Sequence, residues 1–448
     1  MARTRICFVG GGSYNWMPKL LGDLALSRDL SGTIVLHDIN PAALEDIQQY
    51  GRKAMATAGA DFSIETTTDL ERGLDGAEFV VVTITTGGLE TMALDLEIPE
   101  RYGIYQSVGD TVGPGGLSRA LRNVPVMLDI ARAMERQCPD AWMLNLTNPM
   151  TVLTRAVSMA TRIKTIGLCH ELFGVRGGLM RMFGASVEDF QWRVAGVNHL
   201  IWILEMTIRG QDGFAMIRDY FASGRQFPQA PSRGDWHEPF RDNWKLKLAL
   251  FEVYDALPAA GDRHLAEFFP YFLTPATDYG AEYAVQLTKI PHRRQQVATA
   301  REAVRTAIQG EMPALARSPE ATADIIAAVA NGRSVRTIVN LPNVGQLPDL
   351  PSEVVVETLA EITSAGAFPH TVGRLPRGVL STLEPHVINQ ELIVQAAIEG
   401  DRKLALQAMV NDPLVHDLKT ARALLDDLLE AHAEFLPQFK QRRAAVAA

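Results

Sequence analysis

The chain has 448 residues, 47% of them hydrophobic and 21% charged, and a formal net charge of −9. That length exceeds one ordinary core, so two closely packed domains are expected. The acidic balance, without any Lys/Arg block, argues against a nucleic-acid partner, and no apolar run reaches membrane-spanning length.

The first half alternates short apolar runs with helical patterns. Ile6 to Val9 reads as a strand that ends at Gly10-Gly11-Gly12-Ser13, followed by a helix from about Trp16 to Leu26. Thr33 to Asp38 is a second strand, after which Pro41 starts a helix through the Tyr50 region. Phe79 to Ile84, Trp142 to Asn145 and Thr165 to Leu168 are three more strands. Such alternation predicts an α/β fold, a doubly wound Rossmann-type parallel sheet. From about Arg193 the texture changes. Leu200 to Ile208 is β-rich, helices are predicted at Trp244 to Tyr254, Arg301 to Gln309 and Pro319 to Asn331, and Glu391 to Phe439 is strongly helical. The expected domains are residues 1–192, which bind a dinucleotide, and residues 193–448, a mixed α+β domain on the sheet's C-terminal edge. The second would supply substrate, metal and oligomer contacts, and its last helices can pack back on the first. Pro228 and Pro231 mark an exposed loop, and the tail from Arg442 to Ala448 is expected to fray. Met1 to Arg5 leads straight into the first strand, so no export leader is expected. Cys7, Cys138 and Cys169 then read as reduced thiols of a cytoplasmic protein.

Gly10-Gly11-Gly12-Ser13 lies between a strand and a helix. Glycine lets the backbone approach a pyrophosphate, and the helix N-terminus offers free N–H groups and the positive end of its dipole. The spacing departs from G-x-G-x-x-G, because Asn15 stands where the last glycine would fall. A plain tight turn would also explain the triple glycine. Asp38 strengthens the nucleotide reading: it ends the second strand, where a carboxylate binds a ribose 2′-hydroxyl and favours NAD over NADP. It can also cap the helix at Pro41.

Cys169 follows a strand at the sheet's C-terminal edge, and His199 follows the apolar run Val194 to Val197. A thiolate and a neutral imidazole suit a borderline divalent ion and leave positions open for substrate oxygens. The plain alternative is a buried free cysteine beside an unrelated histidine. His170 can replace either ligand, so spacing leaves the donor set open. Asp110 lies in a glycine-rich segment, residues 107–116, where a carboxylate can act as a general acid or simply form a turn. Asn148-Pro149 ends another strand and can set an amide on a substrate hydroxyl or start a helix. Gly261-Asp262-Arg263-His264 interrupts an apolar stretch just before aromatics, which a surface turn does not explain. His292-Arg293-Arg294 reads as a solvated basic face from which one arginine can reach an anion.

Taken in order, Gly10-Gly11-Gly12-Ser13, Asp110 with its glycine-rich loop, Thr147-Asn148-Pro149, Cys169-His170-Glu171 and Asn198-His199 resemble glycoside hydrolase family 4, the NAD- and manganese-dependent glycosidases. The likeness covers essentially the whole chain. It implies that NAD takes hydride from sugar C3, that Mn2+ or another divalent metal on Cys169 and His199 holds the C2 and C3 oxygens, and that a base removes the C2 proton. The C1 leaving group then departs with help from an acid, water adds, and the hydride returns. By position the resemblance makes Asp110 the acid, Asp262 the base and Tyr271 the alternative base. An acid at Asp110 goes with cleavage of α-linked glycosides. Glu171 resembles the α-galacturonide branch, although that branch usually has Val where this chain has Leu172; α-glucuronides, α-galactosides and α-glucosides are the alternatives. A carboxylate would repel a uronate, so Glu171 is assigned to hydroxyls, with Asn148, His170 and Asn198. Arg263, His264 or Arg294 would meet the substrate carboxylate. The resemblance also implies a homo-oligomer, a dimer or tetramer. An ordinary 2-hydroxyacid dehydrogenase is the competing reading; it predicts stoichiometric NADH and no metal requirement. A nucleotide-binding regulator without turnover would tolerate loss of Cys169 and Asp262.

Overall fold

The computed structural model describes residues 1–229 and 235–440. Pro231 and the tail from Arg442 lie outside the described residues. Six strands form a parallel sheet: β1 (Ala2–Val9), β2 (Leu30–His37), β3 (Phe62–Thr67), β4 (Phe79–Val82), β5 (Trp142–Asn145) and β6 (Lys164–Gly167), in the order 3-2-1-4-5-6. This is the predicted doubly wound arrangement. β4 and β5 are buried at every position, because helices cover both faces and an apolar run is what such a strand requires.

The helices of this half are α1 (Met17–Ala25), α2 (Pro41–Ala58), α3 (Leu70–Leu74), α4 (Gly88–Glu100), α5 (Gly113–Gln137), α6 (Met150–Ala160) and α7 (Glu171–Phe183). The two-residue period of β1 sorts its side chains. Ile6 and Phe8 join a core with α1 and α2, while Cys7 and Val9 join another with α5 and α6. α2 starts where Pro41 predicts, with the Asn40 side chain accepting the Ala43 N–H, and ends at left-handed Gly59.

The second half supplies the mixed α+β part, and its strands continue the same sheet. Its strands are β7 (Phe190–Val197), β8 (Leu200–Ile208), β9 (Gln211–Asp212), β10 (Leu257–Pro258), β11 (Val335–Pro342), β12 (Val355–Thr363) and β13 (Gly366–Pro369). β11 joins β6 antiparallel, with Asn340 opposite Gly167, and β12, β7, β8 and β10 follow, all antiparallel. The result is one 13-stranded sheet, parallel on one side and antiparallel on the other. The remaining helices are α8 (Gly213–Ala222), α9 (Lys245–Tyr254), α10 (Asp262–Ala266), α11 (Ile290–Gln309), α12 (Thr322–Ala330), α13 (Arg377–Glu399), α14 (Arg402–Asn411) and α15 (Leu418–Ala431). α13 and α14 pack on α5 in a shared core. Among the described residues no helix is long and apolar enough to cross a membrane.

Candidate functional site

The glycine turn is built for close approach. Gly10 has φ +94°, and a Cβ there would lie 2.3 Å from the Thr83 carbonyl oxygen. Gly12 donates its N–H to Asp38 Oδ2 at 2.9 Å, and Asn40 donates to Oδ1 at 2.9 Å. Asp38 therefore braces the turn as well as the start of α2. Ser13 Oγ accepts the Trp16 N–H at 3.3 Å, just before α1. Gly10→Ala is expected to abolish saturable NAD binding and to lower the unfolding temperature. The left-handed backbone alone costs an alanine about 1–2 kcal/mol. Fluorescence titration with NAD and a thermal melt check both.

Asn198 and His199 form the turn between β7 and β8, and His199 takes φ +66°, a region few side chains adopt. Its imidazole is buried, and Nδ1 lies 2.8 Å from Thr111 Oγ1. That hydroxyl donates onward to Asp110 Oδ1 at 2.7 Å, so it receives the Nδ1–H and leaves His199 Nε2 as the free lone pair. His264 of α10 lies against the same ring, with centroids 3.8 Å apart. Ligand atoms of Asp110, His199 and His264 all fall within 4.8 Å of one another, the donor set of a small divalent-cation site. Burial pushes both imidazoles down, His264 to about 3 with help from His199, a direction that favours the form able to coordinate an ion.

Two of the expected residues, Cys169 and Asp110, stand around this cluster as follows. The thiol of Cys169 is not among the three clustered donors; it is buried, and burial, then Glu357 and Glu171, push it well above its ordinary value. The carboxyl of Asp110, expected as an acid, lies among positively charged groups. Burial raises its pKa, but His264, His199, Arg119 and Arg293 outweigh that and hold it well below the carboxylate range.

α10 carries the rest. Asp262 is buried and accepts N–H bonds from Leu246 and Lys247, both at 3.2 Å, where α9 begins. The residue before α9 is Trp244, which has no capping oxygen, so Asp262 caps that helix from across the chain. Lys247, wholly buried, bonds Asp262 Oδ1 and Asp242 Oδ2 at 2.7 Å each. Burial and Asp242 push the Asp262 carboxyl up to about 6, against the pull of Lys247. Glu171 accepts the Gly261 N–H at 2.5 Å and stands 4.0 Å from His264 Nε2. Although burial raises it, His264, His170 and His199 bring it down to about 2. The Arg263 guanidinium bonds the Thr288 hydroxyl and lies 4.9 Å over the Phe240 ring. His170, Glu171, Asp262, Arg263 and His264 line one side of a cavity of ≈ 270 Å³, faced by Phe227, Phe240 and Trp244.

Other expected residues fall elsewhere. Arg294 turns away to pair with Glu90 on the exposed face of α4 at 2.8 Å, because on a helix its neighbour points the other way. That neighbour, Arg293, bonds the Val108 carbonyl at 3.1 Å and feels the charge of Asp110. Tyr271 is half-exposed and hydrogen-bonded to Tyr254 at the far end of α9, so its hydroxyl is not offered to the cluster. Asn148 Oδ1 and both side-chain polar atoms of Asn198 are buried without a protein partner, as groups awaiting a ligand would be.

Sequence reasoning missed Thr111, Glu267, Lys247 and Glu320. Glu267 follows His264 by three residues and accepts the N–H groups of Val108 and Gly109 at 2.7 and 2.8 Å, fastening the Asp110 loop to α10. Its helical spacing from His264 was a usable signal. Lys247 and Glu320 had none, since only the tertiary fold brings them in.

A six-stranded parallel half with a tight glycine turn, together with a carboxylate–imidazole cluster whose His264 also lines a cavity, defines a Rossmann-type enzyme with a metal-competent centre. Residues 5–185 match the model of the family 4 glycosyl hydrolases and residues 194–415 match the C-terminal domain of that family. The chain belongs to family 4 of the glycosyl hydrolases. The α-galacturonidase of Bacillus subtilis (strain 168) is 38% identical over 441 residues, covering 96% of this chain and 97% of that enzyme. The crystal structure of the Bacillus subtilis protein lplD superposes with a TM-score of 0.88 at 37% identity, covering 96% of this chain and 100% of that one. A 6-phospho-α-glucosidase from gut microorganisms, solved with NAD and Mn2+, shares the fold with a TM-score of 0.83 at 22% identity, over 97% of this chain and 99% of that one.

Proposed function

We propose that this enzyme hydrolyses α-linked galacturonides with the help of NAD and a divalent cation such as Mn2+. The observation that carries the reading is the Asp110–His199–His264 cluster beside a cavity that Arg263 also lines. The residues fit both groups. Two imidazoles and a carboxylate suit the ion, with Cys169 as the further donor that family likeness suggests. The glycine turn, too tight for any Cβ at Gly10, suits a pyrophosphate, and Asp38 suits the ribose. What the two groups supply when bound is a hydride acceptor at sugar C3 and polarisation of the C2 and C3 oxygens.

The chain's own residues do the remainder. Asp262, lining the cavity with a pKa near 6, is suited to take the C2 proton around neutral pH. Its Oδ2, held among the described residues by the Leu246 amide alone, is the oxygen it offers. Asp110, kept ionised, binds and orients instead of donating a proton. Asn148 and Asn198 have unpartnered amide atoms for sugar hydroxyls. Arg263 is the cavity guanidinium suited to a uronate carboxylate, whereas Glu171, itself ionised, is suited to hydroxyls.

The test is chromophore release from an aryl α-galacturonide, with NAD, Mn2+ and a reductant omitted one at a time. Matched α-glucuronide, α-galactoside and α-glucoside run alongside, with NADH absorbance followed. The expected result is hydrolysis that needs NAD and Mn2+, builds up no NADH and is fastest on the galacturonide. Steady NADH formation, or hydrolysis indifferent to NAD and metal, would sink the mechanism; preference for a neutral sugar would sink the substrate assignment.

A further inference from the structure

His170 Nδ1 lies 3.1 Å from Glu320 Oε1, and the carboxylate side chain is 3% exposed. Glu320 comes from the segment between α11 and α12, remote in sequence from the strand β6 that delivers His170. The segment is itself anchored. The Glu320 N–H bonds Ser318 Oγ at 3.1 Å, and Ser318 binds the buried Asp23 of α1 through both its N–H, at 2.7 Å, and its hydroxyl. On another side the His170 ring meets the edge of Trp16, with centroids 6.2 Å apart. The ring's remaining nitrogen, Nε2, is 3.7 Å from Glu171 Oε1, and His170 is a wall of the cavity. Burying a carboxylate is costly unless it has a partner of opposite or complementary character. Here the partner is a single imidazole, held with one nitrogen inward and the other toward the cavity.

We propose that Glu320 is a positioning residue: by holding Nδ1 it fixes the ring plane of His170, so that Nε2 is the nitrogen offered to the bound sugar. A carboxylate on one ring nitrogen sets which nitrogen the ring presents at the other end. The inference rests on the reading of this cavity as the sugar site.

The experiment compares Glu320→Ala and Glu320→Gln with the unaltered full chain. Steady-state kinetics use the aryl α-galacturonide with NAD and Mn2+, and the free proteins are examined by 15N NMR of the histidine rings, with His170→Asn identifying the His170 signals. Glu320→Ala is expected to lower kcat about 10- to 100-fold with little change in KM, and to move the His170 ring signals, Nδ1 most. Glu320→Gln, whose amide oxygen still accepts the Nδ1–H, is expected to retain kcat within about tenfold while its His170 signals shift. That shift tests the contact even if the alanine variant fails to fold. Unmoved His170 signals in both variants, or a folded Glu320→Ala with unchanged kcat, overturns the proposal. If the unaltered enzyme needs neither NAD nor metal, the functional reading fails, while the NMR comparison still judges the Glu320–His170 contact.

Discussion

His199→Asn is expected to remove nearly all turnover while leaving the fold almost as stable as before. Asparagine tolerates the left-handed backbone that His199 adopts at φ +66°, so the turn between β7 and β8 survives the exchange. What disappears is the imidazole whose Nδ1 is fixed through Thr111 and whose Nε2 is left free for an ion. Loss of a partner that merely orients a ligand already costs about 10- to 100-fold in metal affinity or activity, and loss of a ligand itself is expected to exceed about 100-fold. Manganese titration followed by electron paramagnetic resonance should show the weakened binding directly. The unfolding temperature is expected to stay within about 1 °C of the parent, which for a chain of this size is a change near 1 kcal/mol. A folded variant that binds manganese as tightly as the parent would remove His199 from the ion's donors.

Glu267→Ala is the second large effect, and it separates stability from chemistry. The substitution strips the buried amides of Val108 and Gly109 of their acceptor. Each stranded buried donor costs about 1–3 kcal/mol, so a loss of about 2–5 kcal/mol is expected, together with release of the loop that carries Asp110. Glu267→Gln should behave differently. Burial first, and then Asp110, raise the Glu267 carboxyl from 4.5 to about 8, against the two amides and Arg263. The folded pKa thus lies above the unfolded one, so the stabilising effect of the neutral form is complete below about 4.5 and lost as pH rises through about 8. Glutamine stays neutral and escapes that loss. The unfolding temperature of Glu267→Gln relative to the parent is expected to climb between pH 5 and pH 8.5, with turnover largely kept. A difference that stays flat across that range would show that Glu267 is ionised in the folded protein, contrary to this account.

The parallel half was legible because its signals are local. Four-residue apolar runs bounded by turns, Pro41 at a helix start and three glycines after a strand each act over a few residues. β11 and β12 escaped notice, though Val335–Pro342 and Val355–Thr363 are substantial strands, because their apolar positions mix with polar ones such as Asn340 and Glu357. α11 was read as beginning at Arg301 rather than Ile290, since its first turns are rich in polar side chains that bind the Asp110 loop and Glu90 instead of a core. The site was legible as a set of residues and much less so as a set of tasks. Asp110, His199 and His264 were all named, but their convergence depends on a side-chain relay through Thr111 and on one histidine lying against another. Asp262 was read only as a base; that it caps α9 and neutralises Lys247 is a matter of what the fold places opposite it. Arg293 and Arg294 differ only in the direction one step around a helix makes them point, which composition does not encode.

The sheet that runs unbroken from β3 to β10 has a mechanical meaning. Two lobes that shared only a linker could swing apart to admit a sugar and close around it. Here β6 and β11 are bonded neighbours, and α13 and α14 pack on α5, so opening the two halves would break a sheet seam and a shared core. The cavity behaves more like a socket than a jaw. Entry and exit of the sugar must then be timed by side chains and surface loops at its rim, and mutations that speed or slow product escape should map to that rim and leave the seam between the halves untouched.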